Sequence, residues 1–90
     1  MPTINAERTP NPHSLKFTSP DGSFRDEGVA AFSSATEAED DPLAARLFSI
    51  AGVEDVFITP DFVTVSKASG LDWSDAKPEI TSALADYLEA

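Results

Sequence analysis

Between Asp41 and Lys67 the chain reads DPLAARLFSIAGVEDVFITPDFVTVSK, a run that dictates a helix, an abrupt stop and two strands in direct succession. Asp41 is a helix cap by type. Pro42 suits the first helical position, where the missing N–H would have had no partner. Leu43, Leu47 and Phe48, with Ala44 and Ala51 beside them, recur at the spacing of one helical face, and Arg46 falls on the wet side. Gly52 is placed for the left-handed conformation that ends a helix. Val53–Ile58 is rich in β-branched and aromatic residues, and Pro60-Asp61 is turn chemistry before Phe62–Ser66. The two runs therefore predict an antiparallel hairpin. The rest of the chain has to pack on this unit.

The flanking segments carry weaker signals. Residues 1–12 hold three prolines and no period, which predicts a flexible arm pinned at Pro10 and Pro12. His13–Thr18 alternates, with Leu15 and Phe17 on one side and Ser14, Lys16 and Thr18 on the other, as a half-buried strand does. Ser19–Ser23 is a turn by composition. A second extended segment is expected within Phe24–Ser34, best at Gly28–Ser33, where the alanines leave helix as an alternative. Ala68-Ser69-Gly70 is a loop, and Asp72 is a cap for a second helix. Ile80, Ala83, Leu84, Tyr87 and Leu88 form one apolar stripe, so this terminal helix is expected from about 75 or 78 to 89. Pro78 is tolerable only near its start. The order ββαββα predicts one α+β domain over residues 1–90, in two layers, with two helices on one face of a four-stranded antiparallel sheet.

Charge and composition bound the function. Net charge is −10 from 16 acidic and 6 basic residues, which argues against nucleic acid and against an anionic membrane as partners. The acidity reads either as a face for a basic partner or as adaptation to high internal salt, and the scarcity of lysine favours halophilic adaptation. No cysteine is present, so disulfides, thiolate chemistry and any cluster held by the chain's own sulfurs are excluded. There is no secretory leader and no apolar run long enough to span a bilayer. A soluble cytoplasmic protein is expected; Met1 with the natural-looking end favours a complete chain, with an excised domain of a longer protein as the alternative.

No catalytic constellation emerges. His13, the sole histidine, has prolines and a serine for neighbours and no second group to work with. No nucleophile elbow or phosphate loop is present. A non-enzymatic protein is expected. Glu37, Glu39, Asp40 and Asp41 form the only dense acidic run, but a calcium loop needs fixed offsets and a glycine bend. A solvated loop whose last acids favour the coming helix is the plainer reading. Trp73 and Tyr87 read as filling the helix–sheet layer.

The order of Thr9-Pro-Asn-Pro with Leu15-Lys16-Phe17, Asp41-Pro-Leu-Ala with Leu47-Phe48 and Gly52-Val53, Val56-Phe57, Pro60-Asp61-Phe62, Thr64-Val65, Lys67, Asp72-Trp73, Lys77-Pro78 and Ile80 resembles the N-terminal domain of the Nfu, or NifU-like, iron–sulfur cluster scaffold family. The resemblance covers nearly the whole chain. His13 departs from the small polar residue that the family often has there. In that family the cluster is held by a CxxC motif in a separate C-terminal domain, usually shared between two subunits.

The resemblance therefore implies an accessory module in cluster assembly or delivery that works by protein–protein recognition. No cofactor is bound by this chain alone. An iron–sulfur cluster is reached indirectly, through a cysteine-bearing NifU-like scaffold or a cluster-recipient protein. Lys16, Lys67 and Lys77 are all of the lysines and all lie at motif positions, which makes them candidates for partner contact; ordinary surface pairing with acids is the alternative. Phe62 and Trp73 are candidates for an apolar part of that contact, with core packing as the plainer role. Two other functions stay open. One is iron binding by Glu37, Glu39, Asp40 and Asp41, and the other is a generic adaptor that pairs peptides at a sheet edge.

Overall fold

A computed structural model describes residues 2–68, 70 and 72–89. Its elements are β1 (Asn5–Arg8), β2 (Ser14–Thr18), β3 (Ala30–Phe32), α1 (Pro42–Phe48), β4 (Val53–Ile58), β5 (Phe62–Lys67) and α2 (Trp73–Glu89). The loop expected at Ala68-Ser69-Gly70 includes Ser69, which lies outside the described residues.

The central unit forms as its residues dictate. Asp41 caps α1, with its side chain accepting from the N–H groups of Leu43 and Ala44 at 3.0 and 3.1 Å, and Pro42 begins the helix. Gly52 has φ +90°, a left-handed conformation that costs a residue with a Cβ about 1–2 kcal/mol. The chain then turns at once into β4. Thr59 closes the hairpin: its backbone N–H donates to the Phe62 carbonyl at 2.8 Å, and its hydroxyl oxygen accepts from the Asp61 and Phe62 N–H groups.

The sheet has five strands in the order β1-β2-β5-β4-β3, all neighbours antiparallel. The expected four strands in the order ββαββα are thus corrected to five, with three before α1, and two segments account for the difference. The segment expected to be a flexible arm contains the edge strand β1, paired from Asn5 opposite Thr18 to Arg8 opposite Leu15. An edge strand of four residues with mostly exposed side chains carries no period of its own. Its structure comes from the partner that supplies its hydrogen bonds. The second extended segment is shorter than expected and forms the opposite edge on β4, far from β2. Between them Phe24 is buried, its N–H bonded to the Pro60 carbonyl at 3.1 Å, and so anchors the crossing loop to the core.

One face of the sheet is covered. Phe17, Val56, Ile58, Val63 and Val65 join Leu43 and Leu47 of α1 and Ala76, Ile80, Ala83 and Leu84 of α2 in a single core, so both helices lie on that face. α2 starts at Trp73, directly after the expected cap Asp72 and two to five residues before the start read from the apolar stripe, and contains Pro78. Tyr87, expected inside the layer, is 37% exposed. Leu88, the next residue of the stripe, packs partly against the core instead.

Candidate functional site

The uncovered sheet face is set by strand alternation. Since Phe17, Val63, Val65, Val56 and Ile58 point inward, their neighbours Lys16, Thr18, Phe62, Thr64 and Phe57 point outward. Register brings these outward residues together. Lys16 stands opposite Thr64, Thr18 opposite Phe62, and Thr64 also opposite Phe57. The Phe57 and Phe62 rings lie 6.1 Å apart between centroids, tilted at 37°, and the Lys16 ammonium sits 4.8 Å over the Phe62 ring. Phe62 is therefore half-buried on the open face, and its expected core role is corrected: Val63, next along, takes the inward position. Beside this group Ser14 and Ser66 share a hydroxyl hydrogen bond of 2.7 Å.

A second cluster forms at one end of the molecule, where α2 begins. Thr9-Pro10-Asn11-Pro12 is a turn whose polar groups are largely satisfied internally. The Thr9 hydroxyl donates to the carbonyl of Asn11 or Ser14 and accepts from the Asn11 N–H, while the Asn11 side chain accepts from the His13 N–H at 2.9 Å. The Trp73 indole N–H donates to the Pro12 carbonyl at 3.2 Å, which docks the start of α2 on this turn. The Lys67 ammonium lies 5.6 Å over the Trp73 ring. Trp73 is half-buried against the edge of the core, so its expected packing role holds in part. Lys77 is exposed four residues further along α2, on the same flank of the helix as Trp73.

The five residues read from sequence as contact candidates thus divide into two groups. Lys16 and Phe62 meet on the open sheet, and Lys67 and Trp73 meet at the helix start, with Lys77 exposed one turn further along α2. Phe57 was not among them, although its place between inward Val56 and Ile58 is enough to aim it outward. Arg8 was also missed, and its position beside the turn depends on β1, which the sequence pattern does not reveal.

Charge pairing separates the basic residues further. Among the described residues two ion pairs form, Arg25 with Asp41 at 3.1 Å and Arg46 with Asp86 at 2.8 Å. No lysine takes part in either. His13 is exposed at the end of the turn. The acidic run does not converge: Asp41 is occupied as cap and ion-pair partner, and Glu37 accepts from the Ser33 N–H at 2.7 Å. Among the described residues no three carboxylate or imidazole groups come together as a metal-binding set would. None of the described helices is long and apolar enough to cross a membrane.

Residues 4–90 match the family model described as the scaffold protein Nfu/NifU N-terminal domain. The chain belongs to that family. Relatives include the NFU1 iron–sulfur cluster scaffold homolog, mitochondrial, of Drosophila erecta, 40% identical over 84 residues covering 93% of this chain and 30% of that protein. The NifU-like protein 4, mitochondrial, of Arabidopsis thaliana is 42% identical over 84 residues, with 93% and 29% covered. The chain therefore spans about 30% of the length of such relatives. The solution structure of a NifU-like protein from Saccharomyces cerevisiae superposes with a TM-score of 0.80 at 32% identity, covering 94% of this chain and 76% of that one. At 19% identity, the Staphylococcus aureus protein SAV1430 shares the fold with a TM-score of 0.72, covering 89% of this chain and 94% of that one. This Nfu/NifU N-terminal domain is thus a five-stranded antiparallel sheet with two helices, a fold it shares with the yeast protein.

Proposed function

We propose that this domain is a non-enzymatic accessory module in iron–sulfur cluster assembly or delivery, acting by protein–protein recognition. Relatives named as iron–sulfur cluster scaffold homologs support the process. These 90 residues contain no cysteine, so any thiolate ligands of a cluster come from outside this domain. Its partner is a cysteine-bearing NifU-like scaffold or a cluster-recipient protein, met in the cytoplasm. The observation that carries the recognition role is the placement of the lysines. In a chain with 16 acids, lysines kept only for surface pairing would sit beside carboxylates. Lys16 stands opposite Glu7 across the β1–β2 pair yet forms no ion pair with it and lies over the Phe62 ring, and Lys67 lies over the Trp73 ring, likewise without an ion pair among the described residues. An ammonium held on an aromatic face and open to solvent is a ready contact for an acidic group across an interface.

The test is a pull-down with the tagged domain from its own cytosol at native salt, read by mass spectrometry. Enrichment of a NifU-like scaffold or of cluster enzymes, lost on substituting Lys16 and Lys67, is the expected result. Recovery of no cluster protein, together with stoichiometric iron binding that disappears when Glu37, Glu39, Asp40 and Asp41 are replaced by alanine, would replace this reading with direct iron binding.

A further inference from the structure

We infer that the groove between the Thr9–Pro12 turn and Trp73 receives an acidic segment of a partner protein that also carries an apolar side chain. The inference rests on the recognition role proposed above and names the chemistry of what is recognised. The groove has a volume of about 370 Å³, and its walls include Arg8, Pro10, Pro12, Leu15 and Trp73. That is the scale of a small-ligand or side-chain site.

Shape and charge agree on the occupant. Two proline rings, the Leu15 side chain and the indole give the groove an apolar part, beside the polar Thr9, Asn11 and Ser14. The lining is held in place, because the turn is hydrogen-bonded to itself and the indole N–H is fixed on Pro12. A rigid apolar slot requires little ordering on binding. Around it stand Arg8, Lys67 and Lys77, three of the four basic side chains that form no ion pair among the described residues. The fourth, Lys16, is on the opposite sheet face. Arg8 lines the groove itself, Lys67 rests on Trp73, and Lys77 comes next on the same flank of α2. At about 100° per residue, Asp75 and Glu79 fall well round the helix from Trp73. Arg8 and Lys67 are thus placed at the groove and Lys77 one turn along α2 from its indole, on a molecule of net charge −10. An overall acidic protein repels acidic partners everywhere except at such a place, so the arrangement selects orientation as well as partner.

The chain's only tryptophan is Trp73, which makes its emission a reporter of the groove alone. The probe is a blocked peptide, Asp-Glu-Leu-Leu-Glu-Asp, titrated at 0.1 M KCl. Two controls accompany it, one with lysine in place of every acid and one with glycine in place of both leucines. Saturable change with the first peptide, and weakening by about tenfold or more with either control, is expected. The variant Arg8→Gln/Lys67→Gln/Lys77→Gln should fold, by circular dichroism and urea denaturation, and weaken the first peptide by a similar factor. Absence of a saturable change, equal binding of the lysine peptide, or undiminished binding by the folded triple variant would each overturn the inference. The pull-down separates its failure from that of the broader role. Cluster proteins captured equally by wild type and triple variant leave the role standing and remove the groove. Peptide binding at the groove by a domain that captures no cluster protein does the reverse.

Discussion

At the scale of single residues, one carboxylate does two jobs. Asp41 accepts from two N–H groups at the start of α1 through Oδ1 and pairs with Arg25 through Oδ2. The Arg25 Nε is buried with no partner among the described residues, so Asp41 is the group that offsets the desolvation of that guanidinium. Asp41→Ala removes both contacts and is expected to cost about 2–3 kcal/mol, of which the cap supplies about 1–2. Asp41→Asn retains a good cap and loses the charge, so it should recover roughly half. Urea midpoints of the three proteins check this, and equal losses for Ala and Asn would assign the whole effect to the ion pair. On the open face, Lys16 and Phe62 touch each other and little of the core. A double-mutant cycle on Lys16→Ala and Phe62→Ala is expected to show a coupling of about 0.5–1 kcal/mol. Additive losses would mean that the ammonium does not rest on the ring in solution.

At the scale of elements, β1 and Pro78 are the parts least determined by local sequence. β1 supplies Ala6, and Ile4 just before it, as partly buried packing against the core, along with a four-residue ladder on β2. Deleting residues 1–8 is expected to destabilise the domain by about 2 kcal/mol. It should also release protected amides in β2, read by hydrogen exchange. A free arm would give neither effect. Pro78 is the sixth residue of α2 and withholds the N–H that would reach the Ser74 carbonyl. Pro78→Ala should raise stability by about 1–3 kcal/mol in urea denaturation, and a loss would show that the proline's fixed φ matters more than the missing bond. The same contrast explains what could be read from the chain by eye. α1, β4 and β5 were legible because cap, stop, alternation and turn are local chemistry, each confirmed within four or five residues. β1 was not, because Asn5-Ala-Glu-Arg has no strand signal and acquires its form from a partner strand across an intervening turn. The candidate contacts were half legible. The lysines and aromatics could be named from their positions, but their grouping could not. Lys16 meets Phe62 only because β2 pairs with β5, and Trp73 meets Pro12 across 61 residues.

At the scale of the molecule, the charge is the dominant unspent term. The domain has a radius of gyration of 11.8 Å, close to the Debye length of about 10 Å at 0.1 M salt. Carboxylates on all sides therefore repel one another at low salt, and only two described ion pairs oppose that repulsion. Raising KCl to 1 M shortens the screening length to about 3 Å, which removes nearly all of it. If screening returns about 1 kcal/mol, the melting temperature should rise by about 4–8 °C for a chain of this size. Sucrose strengthens burial without screening charge, so a rise in KCl that sucrose does not reproduce identifies the electrostatic part. A flat response to KCl would mean that the acids are already far enough apart, and the case for high-salt adaptation would fall. The same screening bears on recognition. At molar salt the Arg8, Lys67 and Lys77 charges act only at contact distance, so long-range steering of an acidic partner disappears while the apolar slot beside Trp73 is unaffected. Affinity of the acidic leucine peptide should therefore fall between 0.1 and 1 M KCl but level off above zero. A fall to nothing would show that the slot contributes no apolar contact, and no fall at all would show that the three cations contribute no charge.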